Sequence, residues 1–207
     1  MVKRRRLALM VRNAWHMCIS RHYVHAEINS EAALQTLFCT YLFREFEDHH
    51  KQDVWRLFVE PRLISEDETS VVLPDVLVCN ARRIVGAIEL KYKPKGPAAW
   101  QKDLNTLAGL ANRSGSAGLK VDNQRYRGPS RKIFREYEIA DDALFVWAGV
   151  SSKQLDLENI PSDLKNRQLL IAEAITSEGH APRLLYRGSV GDRWRRSVRS
   201  EALLEGL

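Results

Sequence analysis

The sequence has few cysteines, no long apolar run and no acidic residue near its amino end, and these absences exclude several classes of protein. Cys18, Cys39 and Cys79 are odd in number and lie far apart among apolar residues, which argues against a disulfide framework and favours reduced, buried thiols. No apolar stretch approaches the roughly 18 residues that a membrane span requires, and the run from Leu7 to Val11 is too short for a signal-peptide core. We therefore expect an intracellular, cytoplasmic protein that is not secreted and has no membrane partner.

The remaining composition is that of one globular domain. The chain has 207 residues, of which 44% are hydrophobic and 28% charged, enough apolar side chains for a sizeable core. It contains no internal repeat, no low-complexity tract, no phosphate-binding glycine loop, no serine-nucleophile elbow and no dinucleotide-binding fingerprint. Disordered, collagen-like and disulfide-scaffold proteins are excluded. The missing motifs are those that would indicate a P-loop phosphate-binding enzyme, a serine hydrolase or a dinucleotide-binding enzyme.

Positive charge is concentrated in separate segments around a neutral body. The net charge is +6; residues 1–26 carry six Lys or Arg and no acid, so the rest has 32 − 6 = 26 basic residues against 26 acidic ones. Residues 113–135 and 183–199 are two further basic segments. Such segments favour a polyanionic partner, DNA more than RNA, because phosphate contacts supply most non-specific affinity for nucleic acid; solvated surface charge is the alternative. The candidate phosphate-binding residues are Arg4, Arg5, Arg6, Arg125, Arg127 and Arg131.

The apolar spacing predicts an amino-terminal helix followed by one domain. In residues 1–28 the apolar positions recur every three to four residues and form one face beside the arginines, as expected for a basic amphipathic docking helix or arm; a transit peptide has a similar composition. These positions are Leu7, Val11, Ala14, Trp15, Cys18 and Ile19. We expect residues 29–207 to form a single domain.

The periodicity within residues 29–207 predicts an α/β fold with a mixed central β-sheet flanked by helices. Asn29 or Ser30 can cap a helix that runs to about His49. The predicted strands cover residues 54–63, 71–79, 83–92, 143–150 and, at an edge, 183–187. Further helices are predicted at 97–112 and 161–177, with a turn at 66–69 and a loop at 114–130 rich in Gly, Ser and Arg.

The strongest local motif is Pro74-Asp75 on one strand, followed by Glu89-Leu90-Lys91 on the next. Because side chains alternate along a strand, Glu89 and Lys91 share a face. If the two strands form a hairpin, Asp75 approaches Glu89 across it. Two neighbouring carboxylates repel unless a cation lies between them, and Mg²⁺ (or Mn²⁺) favours such a site together with waters and phosphate oxygens.

These residues resemble the signature of the PD-(D/E)xK, or restriction-endonuclease-like, nuclease superfamily, including its literal Pro-Asp. The resemblance covers roughly residues 30–150 and implies an αβββαβ core, with the capped helix first and the strand at 143–150 fourth. It also implies that Asp75, Glu89 and the Leu90 carbonyl hold Mg²⁺ while Lys91 orients or activates the attacking water. The alternative is that the motif occurs by chance and that Glu89 and Lys91 form an ordinary ion pair.

Two auxiliary catalytic positions also follow from the resemblance. Many such nucleases have an acid on the first helix that reaches the metal or its waters, and Glu31 is the candidate here, with Glu45 as a second choice. Others have a Gln early in the helix after the Lys strand, a position that Gln101 occupies beside Lys102. The alternatives are that a helix amino terminus simply favours an acid at Glu31, and that Gln101 and Lys102 lie on a solvated helix face.

A cluster of possible zinc ligands near the amino end has an unsuitable pattern. The spacing matches no ordinary zinc motif, and on a helix the four side chains do not share a face. A helix with its histidines directed at solvent or phosphate is the favoured interpretation. The residues are His16, Cys18, His22 and His25.

The leading functional hypothesis is a Mg²⁺-dependent endonuclease, a metal-binding phosphodiesterase that hydrolyses DNA. Restriction, repair, junction resolution and transposition could each use such a core, and the fold does not choose between them. The alternatives are a catalytically silent nucleic-acid-binding or assembly subunit with the same fold, and a nuclease that works as a homodimer or within a larger complex.

Overall fold

A computed structural model describes residues 2–49, 51, 54–64, 71–115, 119–122, 128 and 134–190. The helices of the described residues are α1 (Val2–Cys18), α2 (Glu31–Asp48), α3 (Gln101–Ala111) and α4 (Ser162–Lys165), with a π-helix at Ile19–Tyr23 and a 3-10 helix at Leu157–Asn159. Their strands are β1 (Trp55–Val59), β2 (Arg62–Ile64), β3 (Val71–Val72), β4 (Val76–Asn80), β5 (Arg83–Lys93), β6 (Leu119–Asp122), β7 (Phe134–Ser151), β8 (Gln168–Ser177) and β9 (His180–Arg187).

The strands form a mixed sheet in which β5, β7 and β8 are parallel neighbours. On one side, β4 pairs antiparallel with β5, and β1 pairs antiparallel with β4; on the other, β9 pairs antiparallel with β8. The strands β2, β3 and β6 extend this sheet from the first residues of β7 through antiparallel pairs. The predicted α/β class with a mixed central sheet is confirmed.

Hydrophobic layers cover both faces of the sheet and follow the strand alternation. One layer combines α1 and α2 with Ile88 and Leu90 of β5. The other combines α3 with Ala87 of β5 and with Phe145 and Trp147 of β7. Because neighbouring residues of β5 divide between the layers, Glu89 belongs to the face that carries α3.

The amino-terminal helix α1 is part of the first layer. All six positions of its predicted apolar face are buried, and Trp15 packs edge-on against Phe38 of α2 with ring centroids 6.4 Å apart. Of residues 1–28, for which the sequence predicts a helix or arm, the apolar positions from Leu7 to Ile28 therefore share a hydrophobic layer with α2 and the sheet. None of the described helices combines the length and apolarity needed to cross a membrane.

The predicted helix at 161–177 is wrong. Helix α4 ends at Lys165, and the segment from Gln168 to Ser177 is the strand β8. Residues 169–174 of β8 are buried on both faces of the sheet, so their apolar run has no alternation that would separate a strand from a buried helix. The strand β8 also lengthens the parallel part of the sheet.

Other predicted strands have different bounds in the structure. The predicted strand at 54–63 is interrupted at Glu60, which has a φ of 47°, and continues as β2. The one at 71–79 divides into β3 and β4 around a bend at Asp75. The predicted loop at 114–130 contains β6, and the strand predicted at 143–150 begins earlier, as β7. The turn at 66–69 lies outside the described residues.

Candidate active site

The β4–β5 hairpin brings Asp75 next to the Glu89-Leu90-Lys91 segment. Val76 is opposite Ile88 in the antiparallel register, so Asp75, one residue earlier, comes opposite Glu89. The Leu90 N–H donates a hydrogen bond of 2.6 Å to Asp75 Oδ2. The carboxyl group of Asp75 is therefore fixed by the main chain of the strand that carries Glu89.

Asp75 lies at a bend that two further contacts hold in place. Its main-chain carbonyl accepts hydrogen bonds from the Glu60 N–H at 2.8 Å and from Gln35 Nε2 at 3.2 Å. The first contact comes from the kink after β1 and the second from α2. Because α2 and the β1–β2 connection both contact this bend, the start of β4 is fixed from two directions.

Glu89 is buried, and its nearest charged neighbour is another acid. Only 5% of its surface is exposed, and burial, followed by the Asp75 charge and then the Asp103 charge, raises its pKa to about 9. Its carboxyl group is hydrogen-bonded to that of Asp75, while Oε1 has no hydrogen-bond partner among the described residues. At neutral pH Glu89 therefore keeps a proton and shares it with Asp75.

Glu31 contacts Lys91 at the carboxyl end of β5. Ser30 caps α2 by accepting the Ala33 N–H at 3.1 Å, which fixes Glu31 in the first turn. Glu31 Oε2 lies 3.2 Å from Lys91 Nζ and accepts the Tyr92 N–H at 3.1 Å. Burial lowers the pKa of Lys91, but the charges of Asp103, Glu31 and Asp75 outweigh it and raise the pKa overall.

Asp103 of α3 is a member of this cluster that the motifs do not reveal. It is 8% exposed, and Trp147 Nε1 of β7 donates to its Oδ2 at 3.3 Å. Burial raises its pKa, against the opposing effect of Lys91. Its sequence signal is an acid on the apolar face of a predicted helix, adjacent to Leu104 and one turn from Leu107.

The other auxiliary candidates make different contacts. Gln101 begins α3, is exposed and donates to Asn105 Oδ1 at 3.1 Å within the helix. Glu45 lies further along α2, where it accepts a hydrogen bond from Asn13 Nδ2 at 3.2 Å. Of the predicted acids and amines, the structure thus brings together Asp75, Glu89, Lys91 and Glu31.

Of the predicted phosphate-binding arginines, the structure describes the side chain of Arg6 alone. Arg6 is exposed on α1. A Cβ atom at Gly86 would lie 3.1 Å from Leu7 Cδ2, so this end of α1 lies near the first half of β5, away from Lys91. The side chains of Arg4 and Arg5, and all of Arg125, Arg127 and Arg131, lie outside the described residues.

His22 of the amino-terminal cluster is engaged with other side chains. Its Nδ1 contacts Glu27 Oε2, and its Nε2 lies 2.8 Å from Tyr41 Oη. Within the described ranges, no three His, Cys, Asp or Glu side chains are close enough together to hold a metal ion by themselves. The Asp75–Glu89 pair has two carboxylates, so any cation bound there needs water, main-chain or substrate oxygens as further ligands.

The geometry can support divalent-cation or phosphate chemistry: two carboxylates share a proton beside an ammonium group at a strand end. Comparison with protein-family models, curated proteins and solved structures finds no significant match.

Proposed function

We propose that this chain is a Mg²⁺-dependent nuclease that hydrolyses phosphodiester bonds of DNA. The observation that carries the proposal is the Asp75–Glu89 pair, in which Glu89 is buried and its Oε1 has no hydrogen-bond partner in the described part of the chain. A buried carboxylate oxygen without a donor is costly unless something else satisfies it. A cation in place of the shared proton would satisfy it.

The donor set fits Mg²⁺. This ion binds proteins through one or two carboxylates and keeps several waters and substrate phosphate oxygens as its other ligands. Asp75, Glu89 and the main-chain carbonyl of Leu90 would hold it, and Mn²⁺ could replace it. When bound, the ion supplies a Lewis acid for the scissile phosphate and its attacking water.

Lys91 and Glu31 act as a pair beside these ligands. Glu31 keeps the Lys91 ammonium at 3.2 Å and helps to keep its pKa raised, so Lys91 carries its proton at neutral pH. Lys91 therefore serves as a hydrogen-bond donor that orients water or stabilises negative charge on the phosphate. Glu31 positions Lys91.

The element order supports a restriction-endonuclease-like fold as the finer architecture. In chain order, α2, β1, β4, β5, α3 and β7 give a helix, three strands, a helix and a strand. This is the αβββαβ order that the resemblance implies, with β2, β3 and β6 as additions. The signature residues occupy its second and third core strands or their ends.

A silent nucleic-acid-binding subunit is the second candidate. The observation in its favour is that part of the site's charge is already compensated without a metal: Asp75 and Glu89 share a proton, and Lys91 is paired with Glu31. A protein that no longer binds cations could retain both contacts. Cation binding therefore separates the two candidates.

The test combines Mn²⁺ binding, followed by calorimetry, with cleavage of duplex, branched and single-stranded DNA. We expect Asp75→Ala, Glu89→Ala and Lys91→Ala each to lower the cleavage rate by about 100-fold or more. The first two should also weaken Mn²⁺ binding, because each removes a ligand. Glu47→Ala, which removes an exposed acid near the far end of α2, is the control. A wild-type protein that binds no Mn²⁺ and cuts none of these substrates would favour the silent subunit.

A further inference from the structure

We propose that four lysines at the carboxyl ends of β5 and β7 bind the phosphate backbone of DNA beside the candidate site. They are Lys93, Lys95, Lys102 and Lys153, which we call the lysine edge. The inference rests on the proposed function, since it identifies the surface along which that site's substrate lies.

Two connections hold Lys93 and Lys95 beside the end of β7. Lys93 is the last residue of β5 and pairs with Ser151 of β7. In the turn that follows, the Gly96 carbonyl accepts the Ser152 N–H at 3.1 Å, and the Pro94 carbonyl accepts Thr176 Oγ1 at 2.6 Å. The turn that carries Lys95 is thus tied to the carboxyl ends of β7 and β8.

Lys153 follows β7 on a segment that a buried ion pair anchors. Arg187 Nη2 donates to the Leu155 carbonyl at 2.6 Å, and the Leu155 N–H donates to Glu173 Oε1 at 2.6 Å. Arg187 and Glu173 also bond each other, and neither is more than 8% exposed. Lys153, two residues before Leu155, is therefore held at the same edge as Lys93.

Lys102 comes to this edge on the first turn of α3. Its neighbour Asp103 accepts the indole N–H of Trp147, and Trp147 is the residue of β7 that pairs with Glu89. The beginning of α3 therefore lies over the end of β5 that bears the candidate site. No acidic residue occurs between Lys93 and Lys102 in the sequence.

The charges of the lysine edge are available to a ligand. All four side chains are exposed, and none forms an ion pair with another described residue, in contrast to Lys91, which pairs with Glu31. The site itself has three further acids beside the protonated Glu89, namely Glu31, Asp75 and Asp103, and their negative charge repels a polyanion. A DNA backbone can approach these acids only where neighbouring cations offset their charge, and the lysine edge supplies four such cations.

The test measures DNA binding without any divalent ion, so that it does not depend on metal binding or cleavage. A fluorescently labelled DNA duplex is titrated in EDTA at several salt concentrations with wild-type protein and with the triple variant Lys93→Ala, Lys95→Ala, Lys153→Ala. The control is the triple variant Arg56→Ala, Arg82→Ala, Lys165→Ala, which removes the same net charge from exposed residues near the amino ends of β5 and β8.

We expect the lysine-edge variant to bind at least about tenfold more weakly than the control, with a slope of log affinity against log salt flatter by up to about three. Equal affinity and slope for the two variants, or no binding of the duplex by wild-type protein at low salt, would overturn the inference. A protein that binds DNA through the lysine edge but takes up no Mn²⁺ would contradict only the proposed catalysis. Mn²⁺-dependent cleavage with identical DNA binding by both variants would contradict only the lysine edge.

Discussion

At the scale of single residues, Glu89 has an unusual protonation state. Burial and the neighbouring acids raise its pKa to about 9 in the folded protein, whereas a Glu in an unfolded chain has a pKa of about 4.3. Between these pH values the folded state binds more protons than the unfolded state. The protonated Glu89 therefore contributes its full stability below the pKa that it has in the unfolded state. This contribution is lost as the pH rises towards the pKa that it has in the folded state.

Glu89→Gln should remove this pH dependence. Because the amide stays neutral, the metal-free variant should be more stable than wild type at pH 8. The free energy of unfolding of wild type should fall with rising pH by at most about 1.4 kcal/mol per pH unit, and in the variant this fall should be smaller. Urea unfolding at several pH values in EDTA measures the difference, and Glu47→Gln is the exposed control. A variant less stable than wild type at pH 8 would show that Glu89 is ionised in the fold.

The Asp103–Trp147 contact gives a second prediction at this scale. Trp147→Phe removes the indole donor and leaves the buried Asp103 carboxylate without it, which should cost about 1–3 kcal/mol of stability in addition to the lost packing. Asp103→Asn keeps an acceptor for Trp147 and removes the charge, so its loss should be smaller. Thermal unfolding of the two variants at one pH compares them. A larger loss for Asp103→Asn would mean that the charge itself stabilises the fold.

The site is predictable from the sequence to the extent that its contacts are local. Strand alternation and one hairpin suffice to bring Asp75 towards Glu89, and helix capping suffices to set Glu31 in a first turn. The contact of Asp103 with Trp147 joins residues 44 apart and depends on how α3 docks on the sheet. No periodicity in either segment contains that information, so it became visible only in the structure.

At the scale of elements, α1 stabilises the fold through its buried face. Trp15 is fully buried and packs on Phe38 of α2. We expect Trp15→Ala to lower the free energy of unfolding by about 3–5 kcal/mol, and Arg6→Ala, on the exposed side, to change it by no more than about 0.5 kcal/mol. Urea unfolding measures both. Equal small effects would mean that α1 is an attached arm rather than part of the core.

The predicted elements agree with the structure where their patterns are unambiguous. Helix α2 combines a cap at Ser30 with regular apolar spacing, and the hairpin strands β4 and β5 show β-rich runs separated by a turn. The strand β8 has neither alternation nor a cap, so its apolar run resembles that of a helix. The break at Glu60 needs a left-handed backbone conformation, and a Glu residue in the sequence does not indicate one.

At the scale of the whole molecule, the distribution of basic residues gives a further prediction. Arg125, Arg127 and Arg131 lie in a stretch of sequence rich in Gly, Ser and Arg, and we expect them to contact phosphate. Replacing all three with Ala should weaken DNA binding for every sequence and flatten the salt slope by up to about three. The titration used for the lysine edge measures this. An unchanged slope would assign these arginines to solvent or to acids such as Glu136.

The candidate site is assembled from distant parts of the chain, and this links cation binding to folding. Lys91 and Glu31, which touch each other, are 60 residues apart, and Asp75 and Leu90 are 15 apart. An unfolded chain does not hold these oxygens together, so a divalent ion should bind the native state alone and shift the folding equilibrium by mass action. At a hundredfold excess over the dissociation constant the gain is about 2.7 kcal/mol, visible as a higher Tm with Mg²⁺ than with EDTA. Asp75→Ala should abolish this thermal shift, so the melting curve becomes an assay for the metal that requires no substrate.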